Sequence, residues 1–288
     1  MPEPTPSPAP STADKCQTFQ RLHASGCFVL PNPWHAGSAR YLQHLGFAAL
    51  ASTSAGESWA QGLPDNGLQL DQVLAHLRDI VGATPLPVNA DFGNGWASDA
   101  AGVARSVQQA LATGIAGLSI EDTTGDAAQP LFALDTALSR LRAARAAIDQ
   151  AGSTALLVGR ADGRLVGRPD LAGLIQRLQA YAAAGADVLY APGLRTADEI
   201  RAVVQAVAPK PVNLLMGWAG GLTVADIAAL GVRRISVGGA LARCAWGGFV
   251  QAATMLAEQG RFDGFAQALP GSTLDTLFAQ RSLAAPQV

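Results

Sequence analysis

The sequence predicts a (β/α)8 barrel. Three observations carry the prediction: eight short apolar runs recur along the chain, each closes on or near a polar residue or a glycine, and each is followed by a stretch with helical spacing. The runs are β-branched or leucine-rich without strict alternation, as expected of parallel strands packed on the inside and covered by helices on the outside.

The first strand is CFVLP (27–31), which runs into PNPWHAGSAR (31–40). FAALAST (47–53) follows and closes on Thr53 and Ser54; PVNAD (87–91) closes on Asp91, and GLSIED (117–122) on Glu121 and Asp122. The alanine-rich segment LDTALSRLRAARAAIDQAG (134–152) spaces its apolar residues by three and four and stops at a glycine, which marks a helix. ALLVGR (155–160) ends on Arg160, with Asp162 just beyond, and DLAGLIQRLQAYAAAGA (170–186) is the next such helix. DVLYAPG (187–193) carries Tyr190, PVNLL (211–215) carries Asn213, and RRISVGG (233–239) completes the eight.

Composition fits one self-contained domain. The chain has 288 residues, 49% of them apolar, enough for a single large core, and barrels commonly take about 250 residues. Residues 14–260 are assigned to the barrel, 261–288 to a C-terminal helical extension, and 1–13, rich in proline and serine, to a disordered tail that lacks the pattern of a signal peptide. A net charge of −2 without a basic run argues against a nucleic-acid partner, and no apolar run approaches the ~20 residues of a membrane span. A cytoplasmic protein is expected. Cys16, Cys27 and Cys244 show no paired spacing, so neither a disulfide framework nor a thiolate metal site is read from them; Cys16 is expected to be an exposed bystander. His23, His44 and His76 lie in helical stretches and read as surface or helix-packing residues, whereas His35 follows the first strand and is expected to face the mouth.

Barrel enzymes build their sites at the carboxyl ends of the strands, so the closing residues are site candidates. Here acids and an arginine converge there: Asp91, Glu121, Asp122, Arg160 and Asp162. Carboxylates facing a guanidinium are what a divalent cation and an anionic substrate require.

PNPWHAGSARYLQHLGFAALASTSAG (31–56), LPDNG (63–67), PVNADFGNG (87–95), SIEDTTG (119–125), LVGRAD (157–162) and PKPVNLL (209–215) together resemble the isocitrate lyase and phosphoenolpyruvate mutase superfamily, in its order and on its strands. The resemblance implies a barrel that binds Mg2+, with Mn2+ as an alternative, and a small 2-oxo or 2-hydroxy acid, and that makes or breaks C–C bonds, or P–C bonds in the mutase branch, through a metal-stabilised enolate. Carried over by position, Asp91 is the implied direct metal ligand, with Glu121 holding a metal-bound water. Arg160 pairs with the substrate carboxylate; Thr53, Ser54 and Ala55 supply donors to the oxyacid; Asp65 lies near the reacting carbon; Asn213 lines the far wall. Asp65 in Pro-Asp-Asn-Gly also reads as a turn former, Asn213 as a strand-end tie, and Asp122 and Asp162 as caps or loop acceptors.

The sequence also departs from the family. Gly93 stands where a second acid is usual, and His35 where an aspartate is usual, so two charges near the metal are missing and His35 is a candidate for substrate contact or proton transfer. Glu57 would restore one charge if its loop folds inward. The loop TTGDAAQPLFALD (123–135) lacks the cysteine of the lyases and the lysine and asparagine of the phosphonomutases. Short members resembling oxaloacetate decarboxylase, which need no acid to expel the leaving group, remain the nearest match. Two other readings stay open: a phosphorylated substrate cradled by the glycines of MGWAGG (216–221) and SVGGALAR (236–243), and a non-catalytic oxyacid-binding protein. The C-terminal segment resembles family helices that pack on or exchange with a neighbouring subunit, implying a homo-oligomer such as a tetramer; the alternative is a helix closing the base of its own barrel. Burial of Leu277, Phe278 and Leu283 separates the two.

Overall fold

The computed structural model of the chain describes residues 9–168 and 170–279, which leaves Leu283 and residues 1–8 outside the description. The eight strands are β1 (Phe28–Leu30), β2 (Leu50–Ala51), β3 (Val88–Asp91), β4 (Gly117–Glu121), β5 (Leu156–Arg160), β6 (Val188–Tyr190), β7 (Val212–Leu215) and β8 (Arg234–Ser236). All neighbours pair in parallel, and the sheet runs from β2 through β3, β4, β5, β6, β7 and β8 to β1. The seam between β1 and β2 is stitched instead of laddered. The Ala51 N–H donates to the Pro31 carbonyl at 3.0 Å, and the Asn32 side chain donates to the Ser52 carbonyl at 2.8 Å. The same amide accepts from the backbone N–H of Val237 and of Gly238, both at 2.9 Å, so one side chain joins the ends of three strands.

The chain opens with α1 (Thr12–Ala24), which starts two residues inside the segment read as tail. Ser11 and Asp14 form a reciprocal cap, each satisfying the other's backbone N–H, and that fixes the start. The buried face of α1 covers the amino ends of the strands: a Cβ on Gly117 would meet Phe19 at 3.0 Å, and the Phe19 and Phe28 rings lie edge to face. Cys16 belongs to this face and is buried, contrary to the expectation that it is exposed; the exposed thiol is Cys244. His23 packs between Phe19 and Phe28, so its helix-packing reading holds.

The outer ring comprises α2 (Ala36–His44), α3 (Ser54–Ala60), α4 (Leu70–Ala83), α5 (Ala100–Leu111), α6 (Leu134–Gln150), α7 (Leu171–Ala183), α8 (Ala197–Val207), α9 (Val224–Ala229) and α10 (Ala240–Gln259). Residues that face outward from the strands, such as Leu118, Leu157 and Leu214, are fully buried beneath these helices. Each such leucine contributes roughly 1.5–3 kcal/mol.

Beyond the barrel a 3-10 turn (Asp263–Gln267) and α11 (Gly271–Ala279) occupy the two short helical patterns expected there. α11 packs on its own chain. Leu277 is buried, the Arg40 guanidinium donates to the Phe278 carbonyl at 2.9 Å, and a Cβ on Gly37 would meet the Phe278 ring at 3.5 Å. Gly37 is in the first turn of α2, so α11 sits at the mouth side of the barrel and not at its base. By contrast α10 and the turn present Trp246, Phe249, Val250, Phe262, Phe265 and Leu269 to solvent. Among the described residues no helix is long and apolar enough to cross a membrane.

Candidate active site at the carboxyl ends of the strands

Side chains pointing inward from β3, β4, β5, β6, β7 and β8 line a cavity of about 200 Å3 that opens at the strand ends. Its wall includes Thr53, Ser54, Ala55, Asp65, Asp91, Arg160 and Asn213, seven of the residues expected there.

β2 ends two residues before α3 begins, and Thr53 caps that helix by accepting from the Gly56 N–H at 3.3 Å. The turn swings Ser54 against β3, where its N–H and hydroxyl both reach one oxygen of Asp91, at 3.1 and 3.0 Å. The Ala55 N–H lies in the first turn of α3, where no helical carbonyl is available to it. Asp91 is held further by the Ser52 hydroxyl, which accepts from its backbone N–H at 2.9 Å.

Arg160 is the centre of the charge cluster. Its Nη1 lies 3.1 Å from Asp91 and 3.0 Å from Glu121, its Nε donates to Asp162 at 2.9 Å, and its guanidinium sits 5.3 Å from the Tyr190 ring centroid. Glu121 is paired with Arg160 in the strand register and accepts from the Thr123 hydroxyl at 2.7 Å. Burial lowers the guanidinium's proton affinity, but Asp162, Glu121, Asp91 and Tyr190 outweigh it and hold Arg160 charged. Burial pushes the Asp162 carboxyl up against the pull of Arg160, and Glu121 and Asp122 reinforce the rise. Asp122 has a supporting role: it accepts from the Asp162 N–H at 2.8 Å and from the Tyr181 hydroxyl at 2.6 Å, and pairs with Arg177 at 3.1 Å.

Asp65 is at the exposed lip, in a turn closed by the Gly67 N–H on the Pro64 carbonyl at 2.9 Å, so it forms the turn and lines the cavity as well. Partial burial and then Asp91 raise its carboxyl. Asn213 is fully buried in the far wall, donating to the Ser236 hydroxyl at 2.9 Å and accepting from Arg234 at 2.8 Å.

His35 is not brought to this cavity. It caps α2, its Nδ1 accepting from the Ser38 N–H at 3.0 Å, and it lines a separate apolar depression with Trp34, Trp246 and Phe249. An aspartate at this position would serve the same capping purpose, so its replacement by histidine removes no charge from the cavity wall. Gly93 adopts φ +53°, with only Trp96 near a built Cβ, at 3.8 Å; there is room for an acid but the backbone resists one. Glu57 folds inward yet does not replace the charge. It is 3% exposed and 3.8 Å from His76, and burial followed by Asp91 pushes its carboxyl up to about 8, so it is neutral at pH 7.

The reading of strand-closing residues missed one deeper layer: Asn89, Ser119 and Arg234 also line the cavity. The available signal was register, since Asn89 stands two residues before Asp91, and Arg234 two before Ser236, on the same strand face.

Among the described residues no group of three or more His, Cys, Asp or Glu gathers to enclose a metal. The donors nevertheless fit a hard cation that keeps its own waters: Asp91 and Glu121 converge on one nitrogen, and Asp91 raises both Asp65 and Glu57, a local excess of negative charge beyond what Arg160 neutralises. Two donors of the phosphate-cradle alternative, the N–H groups of Val237 and Gly238, are taken by Asn32.

Residues 19–257 match the family model described as phosphoenolpyruvate phosphomutase. A solved structure from Burkholderia cenocepacia J2315, provisionally assigned as a lyase/mutase, is 45% identical, with a TM-score of 0.92 over 95% of this chain and 99% of that one. The oxaloacetate decarboxylase of Chromohalobacter salexigens is 30% identical over 236 residues, 78% of this chain and 79% of the relative. A structure of oxaloacetate acetylhydrolase in complex with the product oxalate is 26% identical, with a TM-score of 0.83 over 94% of this chain and 95% of that one.

Proposed function

Since the chain belongs to the phosphoenolpyruvate phosphomutase family, we propose that it is a carbon–carbon lyase acting on a small 2-oxo or 2-hydroxy acid with a divalent cation, Mg2+ or Mn2+, and that decarboxylation of oxaloacetate is the reaction nearest its site. The observation that carries the reading is the meeting of Asp91 and Arg160, 3.1 Å apart, at the wall of a cavity of about 200 Å3, sized for a short acid, with Glu121 behind them, 3.0 Å from the same Arg160 nitrogen. Oxaloacetate decarboxylase and oxaloacetate acetylhydrolase among the related proteins favour the same chemistry.

When bound, the cation supplies an electrophile for the charge that develops on the 2-oxo oxygen. Asp91 is the residue to hold it directly and Glu121 to hold its water, as two carboxylates suffice for Mg2+. Arg160 orients the substrate carboxylate; its position is fixed by Asp162 and by Tyr190. The first-turn N–H of Ala55 would serve the same oxygens, while Ser54 gives both its donors to Asp91. In oxaloacetate the C3–C4 bond breaks, CO2 leaves, the electron pair stays on C3, and C3 takes a proton from water, giving pyruvate. No side-chain acid is needed to expel CO2, which suits a loop that folds back through the Thr123 and Leu131 bridge and offers neither Cys nor Lys. Asp65, with its raised carboxyl at the lip, is placed to steer the incoming acid or relay that proton. His35, outside the cavity, has no part in these steps.

The working unit is a homo-oligomer, a tetramer by analogy with the family, joined through the apolar face of α10 and the turn after it.

The deciding experiment is pyruvate release from oxaloacetate by purified protein in Mg2+, then in chelator, corrected for the uncatalysed reaction. Turnover that stops in chelator is expected; turnover indifferent to chelation would overturn the cation's role, and no turnover would overturn the decarboxylase reading.

A further inference from the structure

Arg234 opens β8 and reaches into the barrel between the cavity and the helix that plugs its amino end. It is 2% exposed and lines the cavity. Its Nε donates to Asn213 at 2.8 Å, and its Nη1 lies 3.4 Å from His23 Nε2 and 3.5 Å from Asn89 Oδ1. Every one of these partners is neutral: burial and then Arg234 push His23 down to about 3. Among the described residues no carboxylate pairs with Arg234, whereas Arg145, Arg160, Arg164 and Arg177 each have at least one. A buried guanidinium without a counter-charge is costly, and the cost is recovered when an anion enters beside it.

The position relative to the cation-binding layer sets what kind of anion fits. Asn89, which touches Arg234, precedes Asp91 by two residues, so the strand layer that Arg234 contacts lies about 7 Å deeper at the ~3.3 Å rise of a strand. The cavity is therefore bipolar, with carboxylates and Arg160 at the mouth and a single unpaired cation at the floor.

We propose that Arg234 receives the second anionic group of the substrate, which makes the substrate class a short diacid of about four carbons, its oxyacid end held at Asp91 and Arg160 and its far carboxylate on the barrel floor. Asn89 and Asn213 flank the guanidinium and hold it in place, their side-chain oxygens accepting from it. This inference rests on the oxyacid reading above and adds to it a residue that selects diacids over monoacids.

The test compares two unreactive 2-hydroxy acids that differ by the far carboxylate, malate and lactate, by calorimetric titration of the whole protein in Mg2+. Wild type is expected to bind malate ~10–100-fold more tightly than lactate, the range of one charge-assisted hydrogen-bonded pair. Arg234→Met is expected to bring malate close to lactate while leaving lactate binding unchanged, a selective loss that a purely structural arginine would not produce. Equal affinities in wild type, or a malate preference that survives in Arg234→Met, would overturn the inference and leave the oxyacid site standing. If neither acid binds wild type, the oxyacid reading itself fails and takes this one with it. Should Arg234→Met not fold, Arg234→Lys replaces it: the point charge keeps the fold, weakens malate and spares lactate, and an unchanged ratio counts against the inference.

Discussion

Ser54 gives both its backbone N–H and its hydroxyl to a single oxygen of Asp91, at 3.1 and 3.0 Å, and so ties the start of α3 to the end of β3. The other Asp91 oxygen is thereby turned toward Arg160 and the cavity. Asp91→Asn keeps the size and an acceptor for Ser54 but removes the charge. Cation-dependent turnover is expected to fall on the order of 100-fold with the near-ultraviolet circular dichroism unchanged. Full activity in this variant would remove Asp91 from the cation site.

Arg160→Lys replaces a planar fork by a point charge. Nε and Nη1 serve different carboxylates, so lysine cannot keep both sets of contacts. Substrate KM is expected to rise ~10–100-fold, the value of a charge-assisted hydrogen bond, with a smaller change in kcat. Steady-state kinetics at saturating Mg2+ separate the two.

Glu57 and His76 give stability a pH dependence of known sign. The folded-state carboxyl of Glu57 is raised to about 8, so the fold retains a proton that the unfolded chain releases near its ordinary value, and stability from this group is lost as pH rises toward 8. His76 is lowered to about 4, so its contribution is present above its ordinary value and is lost as pH falls toward 4. The two oppose each other at mildly acidic pH, and between about 6.5 and 8 the Glu57 loss remains, at up to about 1.4 kcal/mol per pH unit, beside that of Asp162, whose carboxyl burial likewise raises. Glu57→Gln should flatten that alkaline limb of a Tm-against-pH curve; an unaltered slope would place the titration elsewhere.

His35→Asp tests the cap. Aspartate is among the favoured residues at this position and complements the helix dipole, so the fold should gain about 0.5–1 kcal/mol in denaturant titration. Because His35 lies outside the cavity, Mg2+ affinity should not change.

Phe249→Asp with Phe265→Asp places two charges in the apolar face left by α10 and its following turn, where both phenylalanines are at least half exposed. Light scattering is expected to show a multimer for wild type and a monomer for the double variant. A wild-type monomer would refute the proposed assembly.

The barrel was readable because its signals are local. Each apolar run and each glycine-terminated helix announces itself within a dozen residues, and Asp91, Glu121 and Arg160 sit where those runs stop. Arg234 was harder to see because it begins its strand, and only register places it in the same wall as Asn213. His35 was misplaced for a related reason. Proximity to a strand end does not distinguish a residue that faces the cavity from one that turns back to cap the next helix, as its bond to Ser38 does. The burial of Cys16 depended on an amphipathic helix hidden by the polar segment before it, and the raised carboxyl of Glu57 on its burial and then on a three-dimensional neighbour, Asp91.

Asn32 grips β2 with its amide nitrogen and the turn after β8 with its oxygen. The wall that carries Ser54 and the wall that carries Gly239 therefore cannot part without breaking the same amide's bonds. A ligand wedged between them works against that side chain together with the Ala51–Pro31 bond, and a permuted chain opened in the connection before β2, near Gly46, would still find its two new ends clasped into a closed cylinder.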